Sequence, residues 1–359
     1  LSNVKLLIDH ELAEAFGSSL EPFADLAVVR STHDVEAADP TGVQAIVVRT
    51  DQKIRPAVAA RFRQLEAVFT ASAGRDHVGD VGVPVVDARG GNAAGVADWV
   101  VLALLRQVGF DGLRPRVGVL GCGETGGRVL TRLRALGFPT IAVDPPRQRR
   151  DPTFLSAPVE ALQECDVLTL HVPLTPRGLP FATEGWLDAA RLAAWRRPVH
   201  VLSAARGEVV DEAAVLEGLA SGRVASFSAD VFLHEPRPRE RTIAATRLAT
   251  PHVAGRSDDG RRGLQQRTLH ALSRHFGWNP AYLPDLPPEV AAAPAFDDLL
   301  PWLDAQVGFG ALDAALRADT DAFATLRSHH RRRDLAALRL EGGSEAVHRA
   351  AALIGLGAR

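Results

Sequence analysis

Residues 116–126 read Arg-Val-Gly-Val-Leu-Gly-Cys-Gly-Glu-Thr-Gly, and apolar residues follow at Val129, Leu130, Leu133 and Leu136. The first part predicts a short strand and the second a helix with one buried stripe. Gly121, Gly123 and Gly126 stand between them. At this spacing the first glycine permits the tight turn, the second lets backbone approach a pyrophosphate, and the third lets helix and strand pack closely. The amides of the helix start, Thr125 among them, face the anion. The stretch predicts a dinucleotide site.

Asp144 closes the next strand-like run, Thr140-Ile-Ala-Val-Asp144. A carboxylate there accepts hydrogen bonds from the adenosine ribose hydroxyls and repels a 2′-phosphate, so the expected coenzyme is NAD rather than NADP. Arg147, Arg149 and Arg150 follow and are the residue type that would receive a 2′-phosphate; Asp144 opposes that reading.

Working outward, short β-rich runs at 4–8, 26–30, 45–49, 67–70 and 83–86 alternate with polar or helical stretches, which predicts a parallel sheet. Residues 92–108 read as one long apolar helix, expected to be buried between two bodies at a domain junction. Further strands are expected at 117–120, 140–143, 167–171, 198–202 and 226–230, and a helix at 258–276. A proline-rich connector follows, then helices near 312–317, 322–338 and 343–354. The expected architecture is α/β: two Rossmann-like or flavodoxin-like parallel-sheet domains with a cleft between, plus a small C-terminal α+β unit. The boundaries are 1–91 completed by 256–280, then 92–255, then 281–359. Within the last of these, the small helical segment 295–359, about sixty residues long, makes a thin core alone, so association is expected to stabilise it.

The chain has 359 residues, 46% hydrophobic and 23% charged, with a formal charge of −2. That composition excludes a disordered or fibrous class, and no global field favours nucleic acid or an anionic membrane. Cys122 and Cys165 are the only cysteines, too few for a disulfide framework and outside any metal-ligand spacing. No apolar run reaches the ~18–20 residues of a membrane span, and the opening Leu-Ser-Asn-Val-Lys lacks signal-peptide architecture. A cytoplasmic protein without a metal is expected.

Three polar residues stand at expected strand ends beyond the glycine loop: Arg206 in Ser203-Ala-Ala-Arg-Gly-Glu-Val-Val-Asp211, Glu235 in Asp230-Val-Phe-Leu-His-Glu-Pro236, and His252 in Thr250-Pro-His-Val-Ala-Gly255. Oxidising a 2-hydroxy acid needs a base for the hydroxyl proton as hydride leaves the same carbon. Histidine suits that task near neutral pH. Glu235 would orient the ring and stabilise the imidazolium. Arg206 presents a planar fork matched to a carboxylate. Alone, each of the three reads more simply as a surface or capping residue; their order behind the dinucleotide loop makes the case.

These elements, with Gly121-x-Gly123-x-x-Gly126, Asp144 and Pro251-His252-Val253-Ala254-Gly255, resemble the D-isomer-specific 2-hydroxyacid dehydrogenases. The resemblance covers essentially the whole chain and implies Arg206, Glu235 and His252 as the catalytic three. It implies coenzyme contacts from Asp230 to the nicotinamide carboxamide, from Ala204, Ala205 and Arg206, and from Gly255. Val48-Arg49-Thr50, Thr70-Ala-Ser-Ala-Gly-Arg-Asp-His77 and Asp144-Pro145-Pro146 point to a branch acting on a small phosphorylated 2-hydroxy acid. Thr50 and Ser72 would then touch substrate, with Arg49 a phosphate partner. The run Phe323–Asp334 resembles that branch's dimerisation domain, which implies a homodimer.

The chain departs from the family in places: Arg256 stands where Tyr is usual, Val172 where a Thr contacts coenzyme, and Ser203 where Asn is usual. Arg256 adds to phosphate binding or marks a different acid, such as phosphoglycerate, glyoxylate or hydroxypyruvate. A coenzyme-sensing binding protein of corepressor type is the alternative of another class. The cluster Arg327, His329, His330, Arg331, Arg332 and Arg333 reads first as a solvated helix face; nucleic-acid binding and an arginine reaching a partner subunit's site are the other readings. His77, His171 and His234 read as structural.

Overall fold

The computed structural model describes residues 3–109 and 114–357; Leu1 and Ser2, which open the expected leaderless start, lie outside them. The chain divides into two compact units, Leu1–Asn92 with Asp259–Leu286, and Ala93–Asp258 with Pro287–Arg359.

The first unit holds strands β1 (Val4–Asp9), β2 (Ala24–Val29), β3 (Val43–Val48), β4 (Ala67–Thr70) and β5 (Val85–Asp87) in the order β2-β1-β3-β4-β5. All pairs are parallel. Helices α1 (His10–Leu20), α2 (Thr32–Ala37) and α3 (Pro56–Ala59) provide the crossovers. Asp9 caps α1 by accepting from the Glu11 and Leu12 amides, and Ser31 with Asp34 forms a capping box on α2, so these two crossovers start where a side chain satisfies the free amides, whereas α3 starts on Pro56 without a side-chain cap.

The second unit begins with α4 (Ala93–Val108), followed by β6 (Val117–Leu120), α5 (Glu124–Ala135), β7 (Thr140–Val143), α6 (Pro145–Arg150) and β8 (Val167–Leu170). Next come α7 (Ala189–Ala194), β9 (Val199–Ser203), α8 (Glu212–Ala220), β10 (Val224–Ala229), α9 (Glu240–Ala245) and β11 (Leu248–Ala249). The six strands form one parallel sheet in the order β11-β10-β9-β8-β6-β7. The order reverses beside β6, and such a switch point is where ligands collect in open α/β sheets. Gly121 sits at its carboxyl end.

Helix α10 (Asp258–Phe276) matches the expected span. The C-terminal segment differs from expectation. Its elements are β12 (Glu289–Ala292), α11 (Leu299–Val307), α12 (Phe309–Ala318), α13 (Phe323–His329), β13 (Leu338–Glu341) and α14 (Glu345–Leu353), with β12 and β13 pairing parallel. Rather than forming a third body, it shares a core with the second unit: Leu299, Leu303, Phe309 and Leu312 pack in one cluster with Trp99, Val100, Leu104, Val129 and Leu133. Helix α4, expected between two bodies, lies with the second unit. It packs on α5 and α11, and from Ala97 to Leu105 every residue is buried. The helix expected over 322–338 ends at His329, because Arg332 and Arg333 beyond it are drawn into tertiary contacts, while Arg331 stays exposed. Among the described residues no helix is long and apolar enough to cross a membrane.

Candidate active site

Gly121 has φ +85°, and a Cβ there would lie 2.6 Å from His171 O. A Cβ on Gly126 would lie 1.9 Å from Gly121 O, so helix and turn touch backbone to backbone. Gly123 caps α5, and a Cβ on it would meet nothing within 4 Å. Two glycines are therefore demanded by the fold, whereas the third borders open space at a helix N-terminus. That arrangement fits a pyrophosphate, which needs amides without a side chain in front of them. Thr125 lies in the first turn of α5, and Val172 packs beside Gly121.

Asp144 ends β7. Its carboxylate accepts from the Cys122 amide at 2.8 Å and the Arg147 amide at 2.8 Å, which leaves lone pairs for ribose hydroxyls. Arg147 donates to Cys122 O, stacks over Phe154 at 4.2 Å and pairs with Asp151. Arg149 lies over Phe181. Cys122 and Cys165 are free and buried, and burial pushes both thiols up to about 12, so neither is a nucleophile.

The three residues expected to be catalytic come together in the second unit, where Arg206, Glu235 and His252 line one cavity of roughly 370 Å³ with Gly207, Glu208 and residues 231–234. Arg206 follows β9 through Ala204 and Ala205 and donates to Ala205 O at 2.8 Å. A Cβ on the next residue, Gly207, would lie 2.1 Å from Phe232 O. This close approach sets the arginine turn against the loop that carries Glu235. Glu212, 2% exposed, holds that loop by accepting from the Leu233 amide at 2.7 Å and the Thr242 hydroxyl at 2.8 Å.

Glu235 Oε2 lies 2.7 Å from His252 Nδ1, and Oε1 accepts from the Phe232 amide at 3.0 Å. Burial alone would raise the Glu235 carboxyl. The charge and hydrogen bond of His252, the Phe232 amide and the charge of Arg327 outweigh it and hold the group below the usual glutamate value. An ionised carboxylate only accepts, so Nδ1 carries the proton and Nε2 is the basic nitrogen.

His252 has φ +54°, an uncommon conformation for a side-chain-bearing residue. Its amide donates to Asp230 O at 2.7 Å. The Asp230 carboxylate then accepts from the Thr250 hydroxyl at 2.6 Å and from the Val253 and Ala254 amides, both at 2.8 Å. The resemblance placed Asp230 against a carboxamide, but its carboxylate is 1% exposed and enclosed by the protein's own donors. Burial pushes it up to about 6, against the pull of His252, Thr250 and the two amides. Trp99 Nε1 donates to Thr250 Oγ1 at 2.8 Å, extending the chain of bonds. Gly255 and Arg256 follow, and Arg256 Nη2 donates to Ser328 O at 3.4 Å.

In the first unit, Arg49 and Thr50 follow β3, and Ser72 follows the neighbouring β4. Arg49 departs from its expected role as a phosphate partner. Its guanidinium meets Asp9 at 2.8 Å, Glu11 at 3.0 Å and Asp51 at 3.4 Å, and three carboxylates repel a dianion. Ser72 is buried; its hydroxyl lies 2.9 Å from Thr70 Oγ1 and also bonds Gly74 O. Thr50 is exposed. His77 bonds Thr70 at 2.8 Å, and half-buried His171 is pushed down to about 3 by desolvation. His234 faces Arg239.

The sequence reading missed Glu212, Thr250 and Trp99. Glu212 and Trp99 sit in no chemical motif, and Thr250 opens the His252 stretch without a chemical role of its own there, so only their distant partners reveal them. Among the described residues no group of three His, Cys, Asp or Glu is placed to hold a metal ion.

The family model described as D-isomer specific 2-hydroxyacid dehydrogenase, NAD binding domain, matches residues 105–254. An erythronate-4-phosphate dehydrogenase of Serratia proteamaculans is 35% identical over 285 residues, covering 76% of this chain and 75% of that protein. One of Yersinia enterocolitica is 33% identical over 291 residues, covering 76% and 74%. Among solved structures, an NAD-dependent formate dehydrogenase of Staphylococcus aureus in complex with NAD superimposes with a TM-score of 0.60 at 20% identity, covering 76% of this chain and 95% of that one.

Proposed function

The chain belongs to the D-isomer-specific 2-hydroxyacid dehydrogenases, NAD-dependent oxidoreductases acting on a CH–OH group, and we propose that its substrate is 4-phospho-D-erythronate, oxidised at carbon 2 to the 2-oxo acid on the route to pyridoxal phosphate. The observation that carries the proposal is the 2.7 Å Glu235–His252 pair on the same cavity as Arg206. The names of the relatives supply the particular acid.

The residues that would hold NAD are Gly121, Gly123, Thr125 and Gly126 at the pyrophosphate, Asp144 at the ribose, and Val172, Ala204, Ala205, Arg206 and Gly255 along the sheet ends. When bound, NAD accepts the hydride that leaves carbon 2. His252 Nε2 takes the hydroxyl proton, and Glu235 stabilises the resulting imidazolium through Nδ1. Arg206 clamps the substrate carboxylate with its planar fork and polarises the carbon–oxygen bond. Arg256, in the place of the family's usual Tyr, is assigned to the phosphorylated end.

We further propose a cytoplasmic homodimer. The two-stranded sheet β12–β13, with Val290 55% exposed, and Leu353 of α14, 42% exposed, offer apolar surface for a second copy.

The test is NAD reduction with 4-phospho-D-erythronate beside unphosphorylated D-erythronate and 3-phosphoglycerate, with reduction of glyoxylate and hydroxypyruvate followed in reverse. Preference for the phosphorylated four-carbon acid by at least about 10², the scale of one electrostatic clamp, is expected. Equal rates without the phosphate would move the assignment to another 2-hydroxy acid. Coenzyme binding without turnover of any acid would favour a sensing role.

A further inference from the structure

The arginine cluster near the C-terminus contains one member that is not on the surface. The Arg332 side chain is fully buried. Nη2 donates to Ala254 O at 2.8 Å and to Gly95 O at 3.0 Å, and Nη1 to Asp98 Oδ2 at 3.3 Å. Its backbone carbonyl accepts from the Asp258 amide at 3.0 Å. Arg332 therefore grips both ends of residues 254–258, the segment that starts two positions after His252.

The partners of Arg332 are themselves fixed. Asp98 is fully buried and also receives Arg132 of the coenzyme helix α5 and the Leu335 amide at 2.9 Å. A Cβ on Gly95 would lie 2.7 Å from Arg332 Nη2 and 2.9 Å from Ala254 O, so only glycine leaves room for this contact. The guanidinium also lies 5.2 Å over the Phe309 ring. Helix α13 also touches the cavity lining through an edge-on contact of Phe323 with Phe232 at 6.4 Å.

We propose that Arg332 is a positioning residue for the acid/base histidine, so that the C-terminal segment works in catalysis within its own chain. This rests on the reading of His252 as acid/base. The left-handed backbone at His252 persists only where its surroundings over-determine it. Asp230 fixes the loop from the amide side, and Arg332 fixes it from the carbonyl of Ala254. A lysine in place of Arg332 keeps the charge but lacks the planar fork needed to reach Ala254 O, Gly95 O and Asp98 together.

The experiment compares the full-length protein with Arg332→Lys, His252→Gln and Leu303→Ala. The last weakens the same C-terminal core without removing a hydrogen bond to the loop. Readouts are kcat, KM for NAD, the pH profile of kcat/KM, the thermal midpoint, and the downfield proton resonance of His252 Nδ1 against Glu235. Expected for Arg332→Lys are a fall in kcat of about 10-fold or more, an altered pH profile and a lost or shifted resonance, with KM for NAD within about 2-fold. Leu303→Ala, at an equal or larger loss of thermal midpoint, should keep kcat and the resonance. Equal losses in both variants, or an unchanged kcat and resonance in Arg332→Lys, would overturn the proposal. If Arg332→Lys does not fold, Gly95→Ala, whose Cβ disturbs the same contact, is judged by the same readouts. Full activity in His252→Gln would instead overturn the acid/base reading, and the proposal with it.

Discussion

Replacing Gly123 by alanine separates the part of the glycine loop that the fold requires from the part that a ligand requires. No atom lies within 4 Å of the added Cβ, and the φ of −72° at Gly123 lies outside the left-handed region that favours glycine. Alanine as a helix cap costs only about 1 kcal/mol against a good cap and less against glycine. The thermal midpoint without coenzyme should therefore move by no more than a few degrees. A pyrophosphate approaching the α5 amides would meet the methyl group, and overpacking of that kind costs about 1–3 kcal/mol, or roughly 5- to 150-fold in Kd. Gly126→Ala is the contrasting case. Its Cβ would sit 1.9 Å from Gly121 O, and backbone must shift by about 1 Å before the contact reaches even 3.0 Å. That variant should lose stability and coenzyme affinity together. Thermal unfolding with and without coenzyme, beside an NADH fluorescence titration, distinguishes the two. A Gly123→Ala protein with parental affinity would refute the placement of the pyrophosphate at the start of α5, and an unfolded one would refute the open space in front of it.

Arg206→Ala should lower kcat/KM by about 10²–10³, the scale of one lost electrostatic clamp, measured by steady-state NAD reduction. Glu235→Gln, which keeps the shape of the side chain but not its charge, should lower kcat by about 10²–10⁴ and distort the pH–rate profile. Stability should respond to pH with opposite signs at buried Asp230 and half-buried Glu235. Asp230, raised to about 6 from an unfolded 3.8, contributes stability that is complete below about pH 4 and lost as pH rises through 6. Glu235, depressed, contributes stability above its unfolded 4.5 that is lost as pH falls through its folded value. Urea unfolding of Asp230→Asn and Glu235→Gln between about pH 2 and 8 should resolve these trends as gaps to the parent that narrow in opposite directions. Trp99→Phe, which removes the donor to Thr250, should cost about 0.5–1.5 kcal/mol of stability.

The features legible in the sequence were those set by neighbours along the chain. The Gly121–Gly126 turn, the strands around it and α10 depend on spacing and local apolar pattern. The Arg206, Glu235 and His252 motifs were legible because each lies just beyond a strand end. What joins them was not legible: Glu212 with Thr242, Trp99 with Thr250, and Asp98 with Arg332 pair residues far apart in sequence. The same long-range pairing ended α13 at His329, since Arg332 gains more from Asp98 and two buried carbonyls than from another helical turn. Strand β12 was missed because Glu289-Val-Ala-Ala is short, exposed and flanked by prolines. Arg49 was misread because Asp9, Glu11 and Asp51 lie on three different elements.

The common core of α4, α11 and α12 restricts how this chain can be shortened. A stop codon after residue 286 would strip Leu299, Leu303, Phe309 and Leu312 from the cluster around Trp99 and Leu104 and leave an oily trough along the dinucleotide half, inviting aggregation. Any lineage, or any engineer, wishing to discard the tail would first have to repaint α4 with polar side chains. The appendage is thus retained by solubility as firmly as by any duty in pairing subunits.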